Sequence, residues 1–361
     1  MIEPKESVKN TPPTHHGAFD YDELAQLGYS PDEVLDFSVN SNPYGAPPSV
    51  REAIASVPLD RYPDRECIAL REKLAEHHNT NIENIVVGNG TAELLMLIGQ
   101  AFIREGDKVV AFSHTFSEYE RVARLFGAEL CIVPQTVANG LSAVISEHRK
   151  IITNARIVFE CHPDNPSGLI NHGDHQTISI EANPDTLFVY DQAYINFLPK
   201  DFHYSKSPIT PITDNVLYVR SLTKDYALAG LRLGYAIGHP DIIEAIRRVR
   251  PAWNVNALAQ SAGLTVLDEG DWLKSCVQQL HQDKEKLVAG IEKLGLPVMP
   301  SYVHYFLVNV GDATAFRSEL LKHKIMVRDC TSFGLPEYVR IATRTPEDNA
   351  KLLQAIEAIQ S

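Results

Sequence analysis

The stretch SLTKDYALAGLRLGY, residues 221–235, decides how this chain is read. It follows a strand-like apolar run, Val216-Leu217-Tyr218-Val219-Arg220, and opens with small hydroxyl residues before Lys224. Arg232 follows in a glycine-flanked turn, Gly230-Leu231-Arg232-Leu233-Gly234. A lysine at the mouth of a buried strand, beside a basic pocket the size of an anion, suits an aldehyde ligand that also carries a phosphate. The amine can form an imine while the arginine and hydroxyls hold the anion. Ser221, Thr223 and the glycine-flanked turn set Lys224 apart from an ordinary surface lysine.

Working outward, short apolar strands alternate with helical patterns. Strands are predicted at 84–87, 108–112, 129–133, 156–160, 186–190, 216–220 and 235–238. Continuous apolar strands of this kind between helices predict an α/β fold: a mostly parallel, seven-stranded sheet covered on both faces. Helices are expected at 20–27, from near Ser49, and at 67–78, 91–98, 117–126 and 240–249, with a long helical stretch over 253–294. A smaller α+β unit follows, with strands at 305–310 and 338–342 and helices at 313–323 and 346–359. The division expected is an N-terminal arm (1–45), a large domain (46–255), and an interdomain helix with a small C-terminal domain (256–361).

Composition narrows the partners. Of 361 residues, 44% are apolar and 22% charged, the balance of a globular enzyme with a sizeable core. The net charge of -13, with no Lys/Arg-rich block, argues against a nucleic-acid partner. No apolar run is long enough to cross a bilayer, and the polar first 17 residues lack the core of a secretory signal. Five scattered cysteines without a C-x-x-C pair read as reduced thiols in a cytoplasmic compartment. His15-His16 and His77-His78 have no carboxylate at ligand spacing, so no metal site is expected.

Pyridoxal phosphate makes four demands on a protein, and each has a candidate here. Lys224 would receive the aldehyde, its amine freed by desolvation and a nearby arginine. Asp191, at the carboxyl end of strand 186–190, would face the pyridinium nitrogen and keep the ring an electron sink. Tyr194 and Asn165, the latter in Pro163-Asp164-Asn165-Pro166-Ser167-Gly168, could bond the ring's phenolic oxygen. Gly90-Thr91-Ala92 at a helix start, with Ser221, Thr223 and Arg232, would cradle the phosphate. Phe116, after strand 108–112, would give an aromatic face to the ring.

With these elements in this chain order, the sequence resembles fold-type I pyridoxal-phosphate enzymes of the class I/II aminotransferase group. It is most similar to histidinol-phosphate aminotransferases and threonine-phosphate decarboxylases. The likeness runs from about His16 to the C-terminus, through LDFSVNSNPYG (35–45), RYPD (61–64), VGNGTAELL (87–95), FSEYERVARLFGAE (116–129), TKDYA (223–227) and PAWNVNALAQ (251–260). It implies a homodimer in which Tyr62 reaches the neighbouring subunit's cofactor phosphate. It also implies that Arg340 grips a substrate carboxylate or phosphate and that Arg328 contacts a distal group. Asn42, His304 and His16 complete the expected substrate set. Departures fall on the substrate side: Gln192 follows Asp191 where glutamate is usual, His162 precedes Pro163, His304 replaces an asparagine, and position 116 is Phe rather than Tyr.

The expected activity is amino transfer at the Cα of an amino acid or derived amine, with Lys224 moving the proton. Decarboxylation of a phosphorylated amino acid, or elimination with ring closure, are the alternatives that the same residues would serve. A DNA-binding regulator built on this fold would need a further module, and the first 30 residues are too few for one.

Overall fold

The computed structural model describes residues 2–13, 17–135, 150–170, 180–199, 202 and 212–361. Twelve strands are formed among them. Seven build one large sheet: β2 (Ile85–Gly88), β3 (Lys108–Phe112), β4 (Glu129–Val133), β5 (Ile157–Cys161), β6 (Leu187–Asp191), β7 (Val216–Ser221) and β8 (Gly234–Gly238). Their order is β2-β8-β7-β6-β5-β3-β4, and β8 alone runs against its neighbours. From β3 the chain pairs on one side with β4 and on the other with β5. That reversal of direction opens a crevice at the carboxyl ends of the strands.

Sequence explains why the sheet is covered on both faces. β5 and β6 are buried at every position, and Val109, Ile157, Phe159, Val189 and Leu217 pack on one face. Val110, Val158, Phe188, Tyr190 and Val216 pack on the other. Alternate side chains of each strand thus enter two separate cores, as expected of strands between helical layers. The strand boundaries expected from sequence hold to within one residue, and Asp191 proves to be the last residue of β6 rather than the first beyond it.

A three-stranded antiparallel sheet, ordered β11 (Arg328–Asp329), β12 (Tyr338–Ala342) and β9 (Tyr305–Asn309), forms the second unit. Its apolar side packs on the helices Gly270–Lys293, Ala313–Lys322 and Pro346–Gln360. A two-residue parallel pair, β1 (Leu35–Asp36) with β10 (Ile325–Met326), ties the N-terminal segment to this unit. The helical stretch expected over 253–294 is two helices, Ala257–Val266 and Gly270–Lys293. Asn256 caps the first by accepting from the Ala259 N–H at 2.8 Å, which stops any start at Trp253. The second begins at Gly270 after a turn in which Glu269 N–H still donates to Val266 O.

Candidate active site

Five segments leave the large sheet at its carboxyl edge and enclose a cavity of about 400 Å³, within the range of small-ligand sites. The first is the β2 exit, where the helix Gly90–Phe102 begins without a side-chain cap. Its first-turn N–H groups have no intrahelical acceptor and present the positive end of the helix dipole. Gly90 has φ +78°, and a Cβ there would lie 2.6 Å from Arg232 Nη2. Only glycine lets the guanidinium lie against this turn. Gly234 repeats the constraint, since its Cβ would meet the Thr91 nitrogen at 3.0 Å. Among the described residues no carboxylate pairs with Arg232, whose guanidinium makes only a long contact to Ala229 O at 3.5 Å. Open N–H groups, an arginine without an acid and the Ser221 and Thr223 hydroxyls form a cradle for a phosphate dianion.

Lys224 and Asp191 line the same cavity. Burial, then the charges of Arg340 and Arg232, brings the Lys224 amine down to about 8. Its carbonyl accepts from the Asn42 N–H at 2.9 Å. The next residue, Asp225, is fixed by Asn42 Nδ2 on its carbonyl (3.0 Å) and Asn196 Nδ2 on its carboxylate (2.6 Å). Asp191 is 2% exposed; its Oδ2 accepts from the Tyr119 hydroxyl at 2.9 Å and its Oδ1 from the Ala193 N–H at 3.0 Å. Burial nevertheless pushes its carboxyl up to about 6, outweighing these two hydrogen bonds and the charge of Lys224. Burial also holds the Tyr194 phenol at about 12, so it remains a donor at neutral pH.

The opposite wall comes from the three-stranded sheet. Arg340 is 4% exposed; it donates to the Asn165 side-chain oxygen and, at 2.6 Å, to Ser38 O, while its Nε has no partner. Arg328 is its direct cross-strand neighbour. Burial and the charge of Arg340 lower the Arg328 guanidinium to about 10. Like charges opposed across a sheet are destabilising unless an anion lies between them. The cavity wall carries Lys224, Arg232, Arg328 and Arg340 against one carboxylate, Asp191.

Of the residues singled out from sequence, Thr91, Ala92, Phe116, Asn165, Asp191, Tyr194, Ser221, Thr223, Lys224, Arg232, Arg328 and Arg340 line this cavity, and Gly90 abuts it. Asn42 does not: its amide is committed to Asp225 O and to the Tyr44 N–H, so it supports the lysine loop instead. His304 is also displaced from the cavity, 1% exposed with its ring 3.9 Å from that of Phe197. It precedes the strand Tyr305–Asn309, and its ring also packs edge to face on Tyr305 at 5.4 Å. Tyr62 stands outside, 78% exposed and stacked on Trp253 at 4.7 Å. His16 lies outside the described residues. His77 and His78 pack edge to face, and His78 Nε2 bonds the Tyr235 hydroxyl at 2.9 Å. Sequence reasoning missed Tyr119, Asn196 and Asp225. The helical spacing of Phe116 and Tyr119, which brings their rings 5.7 Å apart, was the available signal for the first.

A crevice of this shape, with a lysine, a buried acid and an anion cradle on successive strand ends, defines a fold-type I pyridoxal-phosphate enzyme. The model of aminotransferase class I and II matches residues 32–356, and the chain belongs to that family. It is a pyridoxal-phosphate-dependent aminotransferase. It is 31% identical over 357 residues to the histidinol-phosphate aminotransferase of Geobacillus thermodenitrificans, covering 98% of this chain and 96% of that protein. Among solved structures, histidinol-phosphate aminotransferase from Sinorhizobium meliloti in complex with pyridoxal-5'-phosphate superposes with a TM-score of 0.88 at 24% identity, covering 99% of both chains. L-threonine-O-3-phosphate decarboxylase from Porphyromonas gingivalis gives a TM-score of 0.78 at 25% identity, covering 91% of this chain and 99% of that one.

Proposed function

We propose that this aminotransferase acts on an amine that carries a phosphate at its far end, with histidinol phosphate the first candidate. The single observation behind this reading is the Arg328–Arg340 pair, two guanidinium groups directly opposed on adjacent strands, both at the cavity wall. A phosphate dianion, with two charges and three acceptor oxygens, can accept from both guanidinium groups at once. The names of the curated relatives point the same way.

The cofactor, when bound, supplies an electron sink for the pair of electrons left on the substrate's Cα. Gly90, Thr91, Ala92, Ser221, Thr223 and Arg232 would hold its phosphate, and Asp191 its ring nitrogen. Asn165 and Tyr194 would bond its phenolic oxygen, and Phe116 would cover the ring. The protein's own work is then orientation and proton transfer. Arg340 and Arg328 hold the substrate phosphate between them, and Lys224, its amine brought down to about 8 and so partly neutral at working pH, takes the Cα proton on its Nζ and returns it. Tyr194, buried in the same wall as Asp191 and Lys224, helps to exclude competing water from the reacting end.

Amino transfer to 2-oxoglutarate tests the reading, with histidinol phosphate and dephosphorylated histidinol compared as donors. Losing the arginine-bound phosphate should raise KM by about 10- to 100-fold, the value of one or two charge-assisted hydrogen bonds. Equal use of both donors overturns the substrate assignment. Release of CO2 from phosphothreonine without amino transfer would move the protein to the decarboxylase branch.

We further propose a homodimer that completes each site with Tyr62 from the second copy. Leu59 is 83% exposed, Tyr62 78% and Trp253 46%, an apolar surface beside the loop that bears Tyr62. Sedimentation should give about twice the 40.2 kDa chain mass. A monomer that retains full activity would defeat this. All five cysteines are free, which is consistent with work in the cytoplasm.

A further inference from the structure

We propose that His114 is a positioning residue for the distal end of the substrate: it fastens segment 328–334, and through it Arg328 and Phe333, to the large sheet. His114 follows β3 on the large sheet and holds a left-handed backbone, φ +54°. For a non-glycine residue that conformation costs roughly 1 kcal/mol, and it persists where surrounding contacts fix it. The contact here is Nδ1, 2.7 Å from the carbonyl oxygen of Phe333. That oxygen can only accept, so Nδ1 carries the proton. Gly334 follows with φ +76°, a turn conformation that glycine takes without strain.

From Phe333 the connection runs to the substrate side. The Arg328 guanidinium lies 5.2 Å from the Phe333 ring centroid and donates through Nη2 to Ser332 Oγ at 2.7 Å. Phe333 and Arg328 both line the cavity. Other hydrogen bonds between the two units, Tyr305 hydroxyl to Asp164 O (2.8 Å) and Tyr302 N–H to Gly168 O (2.9 Å), fasten a different wall. Freeing segment 328–334 would therefore loosen the distal subsite while Arg340, Asn165 and Lys224 stay in place.

The test uses the holoenzyme with His114→Ala and His114→Gln, and it rests on the phosphate-ended substrate proposed above only for its choice of probes. His114→Ala should raise KM for histidinol phosphate about five- to tenfold, the loss of one half-buried hydrogen bond, with kcat within about twofold and KM for histidinol unchanged. His114→Gln, whose amide can donate to the same carbonyl, should restore KM to within about threefold. An unchanged KM in His114→Ala, an equal rise for both donors, or a glutamine variant no better than alanine overturns the proposal. If the wild type shows no preference for the phosphorylated donor, the substrate reading fails instead. Amide exchange then decides the role of His114: it should quicken at 331–335 in His114→Ala and not at 163–168, and unchanged exchange at 331–335 sinks it.

Discussion

Replacing Lys224 with alanine is expected to lower amino transfer by at least about 10³-fold, the scale of a lost proton-transfer group, while the ligand-free variant melts no lower than wild type at neutral pH. The first effect follows from the amine's position on the cavity wall and its depressed pKa of about 8. At pH 7.5 such an amine is about one-quarter neutral, whereas an unperturbed lysine is neutral to about 0.1%. The second effect follows from the sign of the shift. The folded protein releases the Lys224 proton near 8, whereas the unfolded chain keeps it to the ordinary lysine value of 10.5. Stability from this group is therefore gained as pH rises between those values, and below 8 the charged, desolvated amine weighs against folding. Alanine removes that penalty. Steady-state rates and thermal melts check both halves, and a variant within tenfold of wild-type activity would refute the assignment.

Asp191→Asn is expected to cost about 10²- to 10³-fold in rate, the scale seen when a preorganised electrostatic partner is removed. Here the carboxylate is held by Tyr119 at 2.9 Å and the Ala193 N–H at 3.0 Å, and it is raised from 3.8 to about 6. Because burial outweighs these hydrogen bonds and the charge of Lys224, the folded state keeps a proton that the unfolded chain has lost. Stability therefore falls as pH rises through the window between the two values. A ring nitrogen held against the carboxylate would reverse this loss. The gain in Tm on adding pyridoxal phosphate should accordingly grow from about pH 4.5 to about pH 7. In Asp191→Asn that growth should shrink. Asp164, also raised to about 6, contributes equally to both proteins and cancels in the comparison. An identical pH dependence in the two proteins would contradict the role given to Asp191.

What the sequence made legible was local. The strands are continuous apolar runs and needed no partner to be seen, and Lys224, Asp191 and Arg232 sit in short motifs whose chemistry reads from a few neighbours. What stayed hidden acts through space. Tyr119 meets Asp191 across 72 positions, and His114 meets Phe333 across 219. No periodicity announces such pairs. The two-residue strands β1 and β10 were invisible for a related reason, being too short to show alternation. Asn42 and His304 erred in the other direction: both lie in motif segments, but the Asn42 amide is taken up by Asp225 and the His304 ring by Phe197.

The division of labour between the two sheets has an evolutionary consequence. Groups suited to the cofactor come from the large sheet's carboxyl edge, whereas Arg328 and Arg340 come from β11 and β12, of two and five residues. Exchange of those two ribbons could retune which molecules are accepted without disturbing the reactive lysine. Diversification in this lineage would then concentrate in fewer than a dozen codons near the C-terminus.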